Sequence, residues 1–151
     1  MDLQVREITL ADATAAASLS GELGYPTSPE VMQQRIASLS PDHVVYVAYL
    51  AGEVAGWIDV SVTHHLQSEP RAEIGGLVVA SKLRSRGIGS ALVARAEQWA
   101  RGRGLQSVVV RSQIAREAAH NFYLREGYAR TKTSAVFTKQ IDRYFVSTLT
   151  T

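Results

Sequence analysis

Apolar positions recur along the chain at two periods. Gln4–Ile8, Val44–Leu50, Val54–Thr63 and Arg71–Val79 are short runs rich in Val, Ile and Tyr and read as strands. In the third, Val54, Gly56, Ile58, Val60 and Val62 alternate with Trp57, Asp59, Ser61 and Thr63, which predicts one core face. Ala51-Gly52-Glu53 reads as a hairpin turn and His64–Pro70 as a polar loop.

Helical spacing fills the remaining stretches. Thr9 or Asp12 caps an Ala-rich helix running to about Leu23, which Gly24-Tyr25-Pro26 breaks. Ser28 caps a second helix through Val31, Arg35 and Leu39, with Glu30 in its first turn and Ser40-Pro41-Asp42 at its end. Gly87 to about Arg101 places Ile88, Leu92, Ala96 and Trp99 on one stripe, and Gly102 and Gly104 stop it. Leu105–Arg111 holds the Val108–Val110 run expected of a strand buried on both faces. Ala115–Glu126 is helical with Gly127 as its C′ residue, and Tyr128–Ile141 is predicted as a last strand. The resulting order, β-α-α-β-β-β-α-β-α-β, is that of a mixed α/β domain with one central crossover.

Composition narrows the chemistry. A chain of 151 residues with 46% hydrophobic residues suits one domain, and no apolar run approaches the ~20 residues of a membrane span. Met1 leads into Asp2 and a polar strand, so a cytoplasmic location is expected. With no cysteine there is no disulfide, thiolate metal site or thioester on the protein, and group transfer must be direct. A net charge of +2 gives no argument for nucleic acid, and the basic stretch Lys82–Arg103 lacks interleaved stacking aromatics. His64-His65 lacks a third ligand signature, so no metal site is expected.

The most specific local signal is Arg84-Ser85-Arg86-Gly87-Ile88-Gly89-Ser90, between a strand and an amphipathic helix. Its glycine pair, the free amides of a helix N-terminus and two arginines make a cradle for a pyrophosphate. A dinucleotide fingerprint would need a third glycine where Leu92 stands, and the Walker Gly-Lys-Ser/Thr is absent.

Together with Ala72-Glu73-Ile74-Gly75-Gly76-Leu77-Val78-Val79, this loop resembles the GNAT superfamily of acetyl-CoA-dependent N-acetyltransferases. Ala119, Phe122, Tyr123, Gly127 and Tyr128 sit at the offsets of that family's later helix. The resemblance covers nearly the whole chain. It implies a mixed, mostly antiparallel sheet with splayed middle strands and about four flanking helices. Residues 1–141 are then one acetyltransferase domain, and the tail 142–151 is an extra strand or a homodimer contact.

Further expectations follow from the same resemblance. Coenzyme A is held by Arg84, Ser85, Arg86, Gly87, Ile88, Gly89 and Ser90, and by the backbone of Leu77, Val78 and Val79. Pantetheine pairs there like an added strand, with Gly75-Gly76 suited to the bulge that opens the edge. An ammonium must lose a proton before it attacks, and Glu73 matches the family's base; Tyr123 matches its proton donor to the thiolate. Arg116 stands where many relatives have Asn, so that cofactor contact is not carried over. Asn121 is on the same helix at another offset. Glu22, Tyr25, Trp57 and Asp59 are expected to line the acceptor side, while His43 and His120 carry no discriminating context. The expected partner is a small-molecule amine, with no nucleic acid and no membrane. A protein N-terminus or lysine as acceptor, and a non-catalytic acyl-CoA sensor, are the alternatives.

Overall fold

In the computed structural model the described residues are 2–112 and 116–141, so the tail from 142 to 151 lies outside them. The chain divides into two units, Met1–Gln113 and Ile114–Thr151, each described by itself.

The first unit is built on a five-stranded sheet. Strands β1 (Leu3–Glu7), β2 (His43–Leu50), β3 (Glu53–His65), β4 (Ser68–Val79) and β5 (Val108–Val110) lie side by side in sequence order. Each neighbouring pair among the first four is antiparallel and β5 runs parallel to β4. Ala51 and Gly52 join β2 to β3 with φ of 54° and 79°, the pair of left-handed residues that a tight hairpin's twist demands. The segment expected as a polar loop, His64–Pro70, is instead mostly strand, with only Leu66 and Gln67 at the turn.

Two bulges set which side chains reach which face. Between Ala48 and Tyr49 the partner moves from Gly56 to Val54, leaving Ala55 as the extra residue. A bulge reverses parity, so Val54 does not share the Gly56–Ile58–Val60 face as alternation predicts. It packs with Leu19, Trp57, Val78 and Ala80 instead. In β4, Asp59 faces Gly76 and Val60 faces Ile74, which leaves Gly75 unpaired.

Helices cover the two faces of this sheet. Against one face, α1 (Ala13–Leu23) buries Ala13, Ala16, Ala17 and Leu19. It is fixed by the Trp57 indole N–H, which donates to the Ala16 carbonyl at 3.2 Å. The second helix, α2 (Pro29–Ala37), follows the Ser28 cap, whose hydroxyl accepts from the Val31 amide at 3.1 Å. On the opposite face α3 (Ile88–Gly102) buries Ile88, Leu92, Val93, Ala96 and Ala100, while Trp99 stays half-buried. Gly56 lies beneath it because a Cβ there would meet Val78 O at 2.6 Å and Leu92 at 3.3 Å.

The second unit holds α4 (Glu117–Arg125), ended by Gly127 at φ 92° as a C′ residue should be. Tyr128–Ile141, predicted as a strand, joins no ladder, and Val136, Phe137 and Ile141 are exposed. Strand propensity is a preference for packing on a paired surface, and this stretch has no such pair. The three residues of β5 are half-buried rather than buried on both faces, because β5 is the sheet edge among the described residues.

One buried ion sets the N-terminal corner. Asp12 is 1% exposed and accepts from both terminal nitrogens of Arg6, from the Thr9 amide and from the Tyr49 hydroxyl. Burial alone would raise its pKa, but these donors outweigh it and hold the carboxyl at about 2. The folded pKa is therefore below the unfolded one, so the stabilisation is complete above pH ~4 and disappears as pH falls through about 2. It amounts to about 2 kcal/mol at neutral pH. Asp12→Asn is expected to lower unfolding stability by about that much at pH 7, with the difference from wild type shrinking between pH 4 and 2. Urea melts across that range measure it, and a pH-independent difference would contradict the assignment.

Candidate active site

The anion loop begins where β4 ends. A 3-10 turn, Ser81–Leu83, leads into extended Arg84, and Ser85 and Gly87 then take φ of 66° and 78° before α3 starts. A left-handed Ser costs of order 1 kcal/mol, so the loop keeps its shape against a local penalty. Gly87 is required by its φ and not by crowding, since a Cβ there would meet nothing within 4 Å. Arg84, Ser85, Arg86 and Gly87 are exposed, while Ile88 is buried and anchors the helix end behind them. No carboxylate among the described residues pairs with Arg84 or Arg86. Free amides, two uncommitted guanidiniums and open space suit a diphosphate.

Glu22 is tied to this loop. Its carboxylate accepts from the Ser81 amide at 2.9 Å and so ties the 3-10 turn to α1. A cleft of about 420 Å³ opens beside it, lined by Glu22, Glu53, Lys82 and Leu83 among others. Neither Trp57 nor Asp59 lines that cleft.

β4 supplies the second element. It pairs with β5 only at Ala72, Glu73 and Ile74. From the Gly75 bulge onward, through Leu77, Val78 and Val79, no strand among the described residues occupies that edge. Alternate backbone amides and carbonyls are left on an open side, which is what an extended diamide needs.

On the α1 face, register brings together Trp57, Asp59, Ser61 and Glu73, with His43 opposite Ser61. Trp57 is committed to packing: its N–H holds Ala16, and a Cβ on Gly76 would lie 3.0 Å from its ring. Asp59 accepts or shares a proton with His43, Oδ2 to Nε2 at 2.7 Å. Its other oxygen, Oδ1, lies over Gly75, where a Cβ would approach to 2.8 Å. The expected base, Glu73, shares this face and pairs with Arg111, Nε to Oε1 at 3.2 Å. Tyr25, after the C-terminus of α1, is exposed, and its carbonyl accepts from the Ser20 and Thr27 hydroxyls.

In the second unit Tyr123 packs edge-on against Phe122 and Tyr128, with ring centroids 5.2 and 5.9 Å away. Burial raises its phenol above the ordinary value, and the Arg116 charge opposes that rise more weakly. The phenol therefore remains a proton donor throughout the neutral range. Sequence reasoning passed over His43 and Arg111. Both act through partners 16 and 38 residues away, and only the strand register reveals them.

Comparison with known proteins agrees with this geometry. A profile of the acetyltransferase (GNAT) family matches residues 8–128. The aminoalkylphosphonate N-acetyltransferase of Salmonella typhimurium is 39% identical over 114 residues, which are 75% of this chain and 73% of that protein. An aminoglycoside N(6')-acetyltransferase of Klebsiella aerogenes is 27% identical over 91% of this chain and 96% of its own length. In fold, the crystal structure of an aminoglycoside 6'-N-acetyltransferase from Acinetobacter baumannii superposes with a TM-score of 0.82 at 20% identity, covering 93% of this chain and all of that one. With the anion loop, the open β4 edge and a profile match over most of its length, the chain belongs to the GNAT acetyltransferase family, whose members are acetyl-CoA-dependent N-acetyltransferases.

Proposed function

We propose that the chain acetylates the primary amine of a small, water-soluble molecule. The observation that carries this reading is the division of β4 by Gly75. Beyond the bulge the strand offers an open backbone edge leading to the anion loop; before it, the same strand joins a face bearing Asp59, Glu73 and His43. One side suits an acyl carrier with amides and a diphosphate, and the other suits a cation. The relatives support the acceptor class, since they act on aminoalkylphosphonates and on aminoglycosides.

In this reading Leu77, Val78 and Val79 pair with pantetheine, and Arg84, Ser85, Arg86, Gly87, Ile88, Gly89 and Ser90 hold the diphosphate. Acetyl-CoA supplies a thioester activated toward amines. Tyr123, whose role rests on the resemblance of α4, gives a proton to the leaving sulfur. Glu73 holds Arg111 in place at the acceptor face. Residues 1–141 act as one acetyltransferase domain in a cytoplasmic protein, supported by a family match that spans both units. The exposed Phe137 and Ile141 support a homodimer contact near the C-terminus.

Thermal melts with acetyl-CoA and coenzyme A, followed by thiol release over aminoalkylphosphonates, aminoglycosides, polyamines, amino acids and a lysine peptide, test the reading. Stabilisation by both cofactors and turnover on a small amine but not the peptide are expected. Absence of stabilisation, or no thiol release on any amine, would sink it. Gly87→Asp sets a charge and a strained Cβ against the diphosphate, and calorimetry should show coenzyme A binding weakened about tenfold or more. Tyr123→Phe should lower kcat roughly 10- to 100-fold with little change in acetyl-CoA KM. Because its phenol is raised, wild-type kcat should show no alkaline loss from this group below pH ~10.

A further inference from the structure

We infer that Asp59 receives the acceptor's ammonium and that His43, held by Asp59, takes the proton the amine must lose. The inference rests on the acetyltransferase reading and assigns the step that reading leaves open. Two facts set Asp59 apart from Glu73. Glu73 is engaged by Arg111, whereas the only charged partner of Asp59 among the described residues is an imidazole. Asp59 also faces Gly76 across the ladder and has its Oδ1 over Gly75, beside the point where β4 loses its β5 partner and opens its edge. Replacing Gly75 by any residue with a Cβ would collide with that oxygen.

The two oxygens of Asp59 then have different tasks. Oδ2 accepts from Nε2–H of His43, which fixes the tautomer and leaves the Nδ1 lone pair free in the neutral ring. Oδ1 is left for the ammonium. Side-chain exposures of 33% and 30% for His43 and Asp59 allow water between amine and ring. One N–H bond of the ammonium breaks and its proton passes through that water to Nδ1, giving an imidazolium paired with the Asp59 carboxylate. The freed nitrogen lone pair then forms the C–N bond as the thioester C–S bond breaks. The acylated nitrogen then loses its second proton to water, water restores the Tyr123 phenol that has protonated the departing thiolate, and the imidazolium returns its proton to solvent.

The charges facing the pair do not supply a competing base of equal freedom. On the same face Glu73 is paired to Arg111, and Arg71 lies farther along β4 opposite Thr63. Asp42, immediately before His43, is paired to Arg103. From α1, Glu22 is committed to the Ser81 amide.

The test uses the full chain with whichever small amine the panel identifies. His43→Gln retains a donor for Asp59 but no basic ring nitrogen, and kcat/KM should fall roughly 100-fold. Asp59→Asn should raise the amine KM at least tenfold while leaving the acetyl-CoA KM within about twofold. An independent readout is nitrogen-15 NMR of the histidines in protein free of acetyl-CoA. The His43 ring should carry its neutral-state proton on Nε2, and Asp59→Asn should abolish that preference. Wild-type turnover in His43→Gln, or an Nδ1–H tautomer, would overturn this assignment alone. A wild type that binds acetyl-CoA yet acetylates no amine would overturn the acetyltransferase reading and this one together.

Discussion

One unpaired residue in β4 organises the molecule. A bulge adds a residue to one strand and none to its partner, so everything beyond it changes face and the strand bends locally. At Gly75 this places Ile74 and Ala72 under α3 and Val78 under α1, although simple alternation from Ile74 would give Val78 the same face as Ile74. The pairing with β5 ends at Ile74, immediately before the bulge. An open strand edge is ordinarily a liability, prone to pairing with other chains. Here it is short and runs directly into the anion loop, which suits it to a ligand that pairs like a strand and ends in phosphates.

Small residues around the bulge serve separate contacts. Gly76 lies against the Trp57 ring, which in turn holds α1, while Gly75 leaves space for the Asp59 carboxylate. Gly56 does the same on the other face for Val78 O and Leu92. The three positions resist substitution for different reasons. A Cβ at Gly56 meets backbone and cannot be relieved cheaply, whereas one at Gly75 meets the end of a side chain and moves the Asp59 carboxylate instead.

Much of this was legible in the sequence because it depends on local signals. Ser28 as a cap, Gly24, Gly87 and Gly127 at helix ends and Gly75-Gly76 as a bulge each announce a backbone requirement within a few residues. The Ala55 bulge has no such signal, since alanine is at home in regular strand, and so Val54 is assigned to the wrong face from alternation alone. Tyr128–Ile141 shows the opposite error. Its residues favour strand, but a strand exists only with a partner, and propensity carries no information about partners. His43 with Asp59 and Glu73 with Arg111 are unreadable for a related reason: each pair is made by register between strands, and a shift of one residue would separate them.

This difference in legibility follows the division of labour in the site. In the proposed site the donor is recognised by backbone groups, through an open edge, helix amides and a glycine at positive φ. Such features survive large sequence change as long as the fold persists, and at 20% identity the fold does persist. The acceptor side is composed of side chains whose meaning depends on their neighbours. A carboxylate with a guanidinium beside it and a carboxylate with an imidazole beside it are different reagents, although the sequence writes both as an acid on a strand. Family membership therefore specifies the donor much more strongly than the amine. On the proposed assignment, specificity for the amine changes by substitution at Asp59, His43 or Glu73 without disturbing the bulge beside them.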